Sequence, residues 1–138
     1  MTKEELIALL NKDLAKEYAA AIQYIQHVAM IKGAAYGSIK KELAVHTNEE
    51  IQHAFTLADQ ITFLGGVPTM TVDKVYTHED TIEMLKQDLA GEEDAVARYS
   101  VRIDQAEELK LLALGQKLRE ILIMEQEHVM DLQEALGL

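Results

Sequence analysis

The chain contains no cysteine and no tryptophan, and only one proline among its 138 residues. Without cysteine it forms no disulfide, no iron–sulfur cluster and no thiolate zinc site, so a bound metal must be held by oxygen and imidazole. Such ligands suit iron, manganese or zinc rather than Cu(I). Charged residues interrupt every apolar stretch before the about 18 residues of a membrane span, and the start of the chain lacks a signal-peptide stretch. We therefore expect a cytoplasmic protein with no membrane partner.

Basic residues are also scarce, since 13 Lys and Arg face 24 Asp and Glu and the formal net charge is −11. A charge of this sign excludes the basic footprint of a nucleic-acid-binding protein and favours the attraction of cations, including metal ions. The apolar fraction is 49%. At this length the simplest organisation is one domain over residues 1–138 with a sizeable core.

Apolar residues recur at helical spacing along most of the chain, whereas strand signals are weak. The pattern predicts four helices, over residues 2–33, 38–64, 78–106 and 108–136. Residues 67–77 hold the only proline and three valines, and we expect them to form an extended connection. The predicted fold class is all-α, a four-helix bundle made of two helical hairpins joined by a long crossover.

Capping signals support the predicted starts of three helices. Thr2 with Glu5 forms a capping box, and Thr77 with Asp80 resembles one. Ser38 is the cap candidate of the second helix. The break between the third and fourth helices contains no Gly or Pro, so its position is inferred mainly from an internal repeat.

One quartet of residues occurs twice, at a constant offset of 75 positions (17 to 92, 50 to 125). Each half supplies a lone Glu, a Tyr seven residues later, and a Glu-x-x-His motif. The members are Glu17, Tyr24, Glu50 and His53 in the first half, and Glu92, Tyr99, Glu125 and His128 in the second. Four carboxylates and two imidazoles from four helices form a ligand set for two metal ions.

The spacing within each half places these groups at one level of the bundle. The lone Glu and the Glu of the motif are 33 residues apart in both halves (17 to 50, 92 to 125), and the midpoint falls at the predicted turn. In each Glu-x-x-His the two side chains share one helix face. Two carboxylates would bridge the ions, and each ion would keep one His and one terminal Glu. Glu49, Glu93 and Glu127 have no acidic counterpart at the same offset and are left out of the ligand set.

The remaining polar candidates are weaker. Tyr24 and Tyr99 are predicted to donate hydrogen bonds to ligand carboxylates, with electron donation as a further reading and plain core packing as the alternative. His27 has no counterpart and is expected to be structural or to face a dimer partner. His46 and His78 are expected to be solvated, although His46 with Glu49 could form a weak outer iron site.

These motifs resemble those of the ferritin-like superfamily, and the chain is most similar to a bacterioferritin. The resemblance extends over nearly the whole chain and includes residues 10–17, 22–24, 50–54, 88–92 and 125–128. It implies a ferritin-like bundle that binds two Fe ions, with Mn or Zn as alternatives. It also implies roles: Glu17 and His53 would bind one ion, Glu92 and His128 the other, and Glu50 and Glu125 would bridge. The implied activity is ferroxidase, in which Fe(II) is oxidised to Fe(III) by O2 or H2O2 for iron storage or detoxification.

Two departures from the bacterioferritin pattern narrow this expectation. The haem-ligating Met that follows the second-helix Glu in that family is Ile51 here, so we expect no haem. The short fifth helix is missing, because the chain stops ten residues after His128 (128 to 138), so a 24-subunit cage is in doubt. We expect a homodimer, or a larger homo-oligomer, that buries the outer faces of the first two helices.

Two other functions compete with the ferroxidase. A rubrerythrin-like peroxide reductase, or another di-iron oxidase without iron storage, would use the same centre. That family adds a Glu where Ala95 stands here, and often carries a Cys-rich module that this chain lacks. The other competitor is a structural bundle that holds Zn or Mn without redox turnover.

Overall fold

Four long helices make up most of the protein in a computed structural model that describes residues 1–138. They are α1 (Lys3–Met30), α2 (Gly37–Phe63), α3 (Thr81–Glu108) and α4 (Leu112–Leu136), with a short 3-10 turn at Ala34–Tyr36 before α2. The prediction of an all-α bundle with one long connection is confirmed. None of the helices combines the length and the apolar character that a membrane crossing requires.

The starts of the helices agree only in part with the capping signals. Thr2 is the N-cap of α1, and its hydroxyl accepts a hydrogen bond from the Glu5 amide, as predicted. For α3 the prediction was wrong by three residues. Asp80 is itself the N-cap and accepts from the Glu83 amide, so the helix begins at 81 and not at 78. An aspartate satisfies the free amides of a first helical turn directly and needs no upstream threonine.

The start of α2 and the turn before α4 also differ from the prediction. Ser38 is not a cap, because α2 already begins at Gly37 after Tyr36. The α3–α4 turn places Lys110 in the left-handed region at φ 62°, where helices more often have glycine. Helix α4 therefore begins at Leu112 and not at 108. Without a Gly or Pro in the turn, no local signal marked this boundary.

The two hairpins pack against each other through antiparallel pairs of helices. Between α1 and α3, hydrogen bonds join Tyr24 to Glu92 and, one level along, Glu17 to Tyr99, so residue numbers rise on one helix as they fall on the other. The α2–α4 pair shows the same direction, because His46 contacts Asp131 while His53 contacts Met124.

The crossover between α2 and α3 runs along α1. The Asn11 side chain bonds both the Val67 carbonyl and the Thr69 amide, at 3.0 and 2.8 Å. Further along, the Asp73 amide donates to the Ala15 carbonyl, and the Tyr76 amide donates to the Gln23 side chain. The crossover thus follows α1 in the same direction and spans the groove between α1 and α3.

The core consists of two apolar clusters rather than one. A larger cluster fills the end of the bundle where α1 begins, and includes Leu10, Leu57 and Leu118. A smaller one fills the opposite end and includes Ile31, Leu43 and Leu132. Between the two clusters lies the layer that contains the repeated glutamates and histidines, so the bundle is apolar at both ends and polar at its middle.

Candidate metal centre

The six predicted metal ligands lie together in the middle layer. All are almost fully shielded from solvent, with exposures of 1–3%. They come from all four helices: Glu17 from α1, Glu50 and His53 from α2, Glu92 from α3, and Glu125 and His128 from α4. Burying four carboxylates at one level of an apolar bundle is costly unless cations or protons compensate the charge.

The six side chains fall into two groups that share two members. Glu17, Glu50, His53 and Glu125 place one donor atom each within 4.8 Å of one another. Glu50, Glu92, Glu125 and His128 do the same. Glu50 and Glu125 belong to both groups, which is the arrangement that two bridging carboxylates between two cations require.

In both groups the Nδ1 atom of the histidine points towards the carboxylates. His53 Nδ1 lies 3.2 Å from Glu125 and 3.7 Å from both Glu17 and Glu50. His128 Nδ1 lies 3.2 Å from Glu50 and 3.2 Å from Glu92. Each imidazole therefore presents one nitrogen to a set of three carboxylates and leaves the other nitrogen for a partner behind it.

Several nitrogen and oxygen atoms that could bind a metal in this layer are buried and have no hydrogen-bond partner. They are Glu17 Oε2, Glu50 Oε1, His53 Nδ1, Glu92 Oε2 and Glu125 Oε1. Native proteins pair almost all of their buried polar atoms. Five unpaired atoms from five of the six chelating residues therefore fit a bound pair of divalent cations.

Without metal, Glu50 and Glu125 have raised pKa values, whereas the pKa of Glu17 is lowered because its contacts with His53 and Glu50 outweigh burial. Burial raises the pKa of Glu50 well above its ordinary value, and the charges of Glu17 and Glu125 raise it further. Burial, followed by the charges of Glu17 and Glu92, raises the pKa of Glu125 to about 8. The metal-free site is therefore less negative at neutral pH than its four carboxyl groups imply.

The histidines gain protons for the opposite reason. Burial alone would lower the pKa of His53, but the nearby carboxylates of Glu125 and Glu17 outweigh it and raise the pKa to about 10. Burial would also lower the pKa of His128, but the contact with Glu92 and the charge of that carboxylate outweigh burial and raise the pKa to about 9. Protons thus compensate part of the buried charge when no cation does so.

The two repeated tyrosines donate hydrogen bonds across the bundle. Tyr24 Oη lies 2.5 Å from Glu92 Oε1, and Tyr99 Oη lies 2.6 Å from Glu17 Oε1. Each tyrosine contacts the lone glutamate of the other hairpin and not its own. Burial, then the neighbouring carboxylate charge, raises the pKa of both phenols well above 10, so both remain donors at neutral pH.

A second repeated pair, Asp13 and Asp88, lies one turn before the lone glutamates and was not singled out from the sequence. Asp88 contacts His27 at 2.8 Å and Gln23 at 2.9 Å. Gln23 and His27 lie ten and fourteen residues after Asp13 (13 to 23, 13 to 27). In the other half, Arg98 and Arg102 lie at the same distances after Asp88, and both contact Asp13. The repeat of 75 residues includes this pair, but the partners of the two aspartates differ chemically between the halves, so their shared role was not predicted. His27 is therefore structural and fully buried.

The outer nitrogens of the two histidines have different partners. His128 Nε2 lies 3.4 Å from Glu49, whereas His53 Nε2 lies 3.3 Å from the sulfur of Met124. Glu49 and Met124 are repeat counterparts (49 to 124), so the two halves differ at this one position behind the centre. A carboxylate behind a metal-binding histidine fixes its orientation and raises its basicity, which a thioether does not do.

The expectation that His46 is solvated was wrong. Its side chain is 1% exposed, and its ring stacks on that of His128 with the centroids 3.9 Å apart. Its Nε2 lies 3.1 Å from Asp131 and not near Glu49, which contacts His128 instead. Burial, followed by the charge of His128, lowers the pKa of His46. His78, by contrast, is exposed as expected.

A cavity of about 380 Å³ connects the metal layer with the groove between α1 and α3. Its lining includes Glu17 and Glu92, and small side chains such as Ala20 and Ala95 leave space in it. Gly91 also lines it, and a side chain added there would meet nothing within 4 Å. The crossover borders this opening with Asp73, Lys74 and Tyr76.

Comparison with known proteins agrees with this geometry. The model of the ferritin-like domain family matches residues 7–138. The chain belongs to the ferritin-like family. The chain is 30% identical to a bacterioferritin of Brucella melitensis, over 97% of its own length and 84% of that protein. It is 31% identical to a bacterial ferritin of Pseudomonas aeruginosa, with coverage of 97% and 88%. The resemblance inferred from the repeated motifs is confirmed.

Solved structures give the same result. A ferritin-like diiron-carboxylate protein from Bacillus anthracis has a TM-score of 0.94 at 35% identity, with 99% of both chains covered. A dodecameric thioferritin from Bacteroides fragilis, described as bacterioferritin-related, has a TM-score of 0.92 at 28% identity, covering 99% of this chain and 87% of that one. Both likenesses span the whole bundle, including the middle layer.

Proposed function

We propose that the protein is a ferroxidase that binds two Fe(II) ions and oxidises them to Fe(III) with O2 or H2O2. The observation that carries the proposal is the pair of four-residue chelating groups that share Glu50 and Glu125. Family membership and the diiron-carboxylate description of the Bacillus anthracis protein support it. Iron fits better than Cu(I) because all donors are oxygen and imidazole, although Mn or Zn would be accepted by the same set.

In this proposal each ion has one terminal glutamate and one histidine. Glu17 and His53 hold one ion, and Glu92 and His128 hold the other. Glu50 and Glu125 bridge the pair and, with the two terminal carboxylates, neutralise the charge of two divalent ions. Two Fe(II) supply two electrons, which with two protons reduce O2 to H2O2 or H2O2 to two water molecules.

The surrounding residues orient the ligands and exchange protons. Tyr24 and Tyr99 each hold one oxygen of a terminal glutamate through a hydrogen bond and leave the other oxygen free. Because Glu125, His53 and His128 retain protons in the metal-free protein, ion binding displaces protons within the layer.

The test is rapid-mixing oxidation after anaerobic Fe(II) loading of the metal-free protein. The expected result is a fast Fe(III) absorbance change that saturates at two irons oxidised per chain and is lost in Glu92→Ala. Exposed Glu93→Ala on the same helix is the matched control and should retain the fast phase. A fast phase of one iron or none in the unmodified protein would overturn the proposal. Retained binding with no oxidation would indicate the non-redox bundle.

The cavity between α1 and α3 favours one alternative function. Its volume of about 380 Å³ greatly exceeds the roughly 30 Å³ share of one water molecule and falls within the about 300–1,000 Å³ range of small-molecule pockets. A rubrerythrin-like peroxide reductase, or another di-iron oxidase without iron storage, would use such an opening. Its lining is small and charged rather than bulky and apolar, which indicates a polar substrate such as peroxide.

Net iron deposition separates the two functions. A ferroxidase that stores or detoxifies iron continues to form Fe(III) beyond two per chain, whereas a peroxide reductase consumes H2O2 with an added reductant and deposits none. Gly91 lines the cavity and a Cβ added there meets nothing within 4 Å, so Gly91→Leu should narrow the cavity. It should slow peroxide turnover if the substrate enters there, while Gly37→Leu, another open helical position, should not.

We also propose that the protein forms a homodimer or a larger homo-oligomer through the outer surfaces of α1 and α2. Ile22 and Ile25 on α1, and Ile51 and Phe55 on α2, are exposed at 44%, 56%, 38% and 62%. Exposed apolar side chains on the outer surfaces of these two helices fit an interface. The related Bacteroides fragilis protein is dodecameric. Because isoleucine at position 51 has no metal-binding atom, we expect no haem at this surface and no haem absorbance band.

Light scattering after chromatography tests the assembly. Ile25→Glu with Phe55→Glu should reduce the particle mass towards that of one chain, 15.5 kDa. The control pair, Val101→Glu with Ile123→Glu, changes equally exposed side chains on α3 and α4, at 53% and 59%. An assembly that persists in the first pair but dissociates in the second would place the interface on the opposite surface.

A further inference from the structure

A third group of possible metal ligands lies on the surface between α2 and α4, outside the two-ion layer. Its members are Glu42 and His46, one turn apart on α2, and Asp131 on α4. Each offers one donor atom, and these atoms lie within 4.8 Å of one another. Two oxygen donors and one imidazole nitrogen form an incomplete coordination shell that water can complete.

The core holds one of the three residues in place, and the other two are acidic residues at the surface. The His46 side chain is 1% exposed, and its ring is packed between Tyr24, with centroids 5.4 Å apart, and His128. Asp131 is 40% exposed and Glu42 lies at the surface. The imidazole is therefore held in position by the core and directs Nε2 outwards, while the two carboxylates can adjust around an ion that arrives from solvent.

The packing of the bundle does not require an imidazole at position 46. Its Nδ1 is buried and has no hydrogen-bond partner, and its repeat counterpart (46 to 121) is Ile121, an ordinary core residue. An apolar side chain thus fills the equivalent place in the other hairpin. The counterparts of Glu42 and Asp131 are Lys117 and Thr56 (42 to 117, 131 to 56), so no part of the group is repeated.

We propose that Glu42, His46 and Asp131 form a third divalent-cation site, separate from the two-ion layer. The chemistry of the donors selects a transition-metal dication such as Fe(II), Co(II) or Zn(II) over Mg(II), which favours oxygen ligands alone. The ring that would hold this ion stacks on His128, a proposed ligand of the inner pair. The site does not depend on the proposed oxidation chemistry, because it requires binding only.

The test is titration of the metal-free protein with Co(II), followed by calorimetry and by the visible absorbance of the bound ion. The unmodified protein should bind three Co(II) per chain. The variant that combines Glu42→Gln with Asp131→Asn should bind two Co(II) per chain. Its affinity for a third ion should fall by at least about 10–100-fold, the effect of losing one residue that supports a metal ligand. Both substitutions are at the surface and keep side-chain size, so the fold should be retained.

A charge-matched control separates coordination from general electrostatics. Glu93→Gln with Glu127→Gln removes the same two negative charges from exposed positions of α3 and α4 and should leave three ions bound. Anomalous diffraction from Co(II)-soaked crystals should show a third peak about 2.0–2.2 Å from His46 Nε2.

The outcomes distinguish this inference from the proposed function. Two ions in the unmodified protein, or three in the Glu42→Gln/Asp131→Asn variant, would overturn the third site and leave the inner pair unaffected. Fewer than two ions in the unmodified protein together with a peak at His46 would overturn the inner pair and retain the third site. A variant that binds two ions but loses thermal stability still supports the site, because the ion count is the readout.

Discussion

Glu49 and Met124 occupy equivalent positions in the two hairpins, and each contacts the outer nitrogen of the histidine on the facing helix, at 3.4 and 3.3 Å. The chelating layer itself is symmetric, so this pair would make the two proposed ion positions unequal. A carboxylate supports the imidazole of His128, while a thioether lies behind His53.

Exchange of these two residues tests that inequality. Glu49→Met should weaken binding at the position of His128 by about 10–100-fold, and Met124→Glu should strengthen binding at the position of His53. The two Co(II) binding constants of the inner layer should therefore differ in the unmodified protein and become more similar in Met124→Glu. Equal constants in both proteins would contradict the role assigned to Glu49.

The two tyrosines should contribute equally to stability because their hydrogen bonds are equivalent. Tyr24→Phe and Tyr99→Phe each remove one donor to a buried carboxylate and should lower the free energy of unfolding by about 1.5–3 kcal/mol. Urea unfolding of the metal-loaded protein measures this. Tyr76→Phe, in which the phenol is exposed, is the control and should have little effect. A large effect from one core tyrosine alone would contradict the equivalence of the two hairpins.

Asp13 holds two cationic side chains inside the α1–α3 interface. Arg98 and Arg102 lie 2.7 Å from its carboxylate, and the side chain of Arg102 is only 8% exposed. Asp13→Asn leaves buried positive charge without its partner and should cost about 3–5 kcal/mol in unfolding free energy.

The control for Asp13 is Asp94→Asn, which removes a half-exposed partner of Arg98. Its side chain is 52% exposed, so the substitution should cost less than about 1 kcal/mol. Thermal unfolding monitored by circular dichroism compares the two variants directly. Equal costs would indicate that the buried pairing adds nothing beyond a surface contact.

The metal-free protein should lose stability as pH rises from about 6.5 to 9. The pKa values of Glu125, His128 and His53 are raised to about 8, 9 and 10, so the folded chain binds protons that the unfolded chain releases. A group with a raised folded pKa contributes stability that disappears as pH passes from its unfolded to its folded value.

Bound metal should reverse this dependence. Ligation requires deprotonated carboxylates and neutral imidazoles, so metal affinity rises over the same pH range and ion binding at pH 7 releases protons. Calorimetric unfolding of metal-free and Zn(II)-loaded protein between pH 6.5 and 9 measures both trends. A metal-free unfolding temperature that rises with pH would show that these groups do not carry extra protons.

The helical repeat made most of the architecture predictable from the sequence. An offset that joins Glu17 to Glu92 and Glu50 to Glu125 fixes which helix faces turn inward and at what level, and the layer has that form. Boundaries without a special residue were less accurate, as in the turn at Lys110, a non-glycine residue in the left-handed region whose amide donates to the Glu107 carbonyl.

The same repeat concealed residues that occur once or that change chemistry between halves. His46 has no counterpart and was expected to be solvated, yet it is buried against His128. Asp13 and Asp88 are repeated, but arginine partners in one half and histidine with glutamine in the other obscured their shared role. Pairing across helices depends on three-dimensional neighbours, which periodicity along one helix does not specify.

The polar middle layer divides the bundle into two mechanical segments. Its apolar ends share no continuous core, so in the metal-free protein they are joined across the layer by the helix backbones and by hydrogen bonds and ion pairs among polar side chains. Two metal ions bound by ligands from all four helices would connect the helices at the middle of the bundle. Amide hydrogen exchange near Glu50 and Glu125 should then slow on metal loading more than exchange at either end, and loading becomes a way to stiffen the molecule as well as to occupy a site.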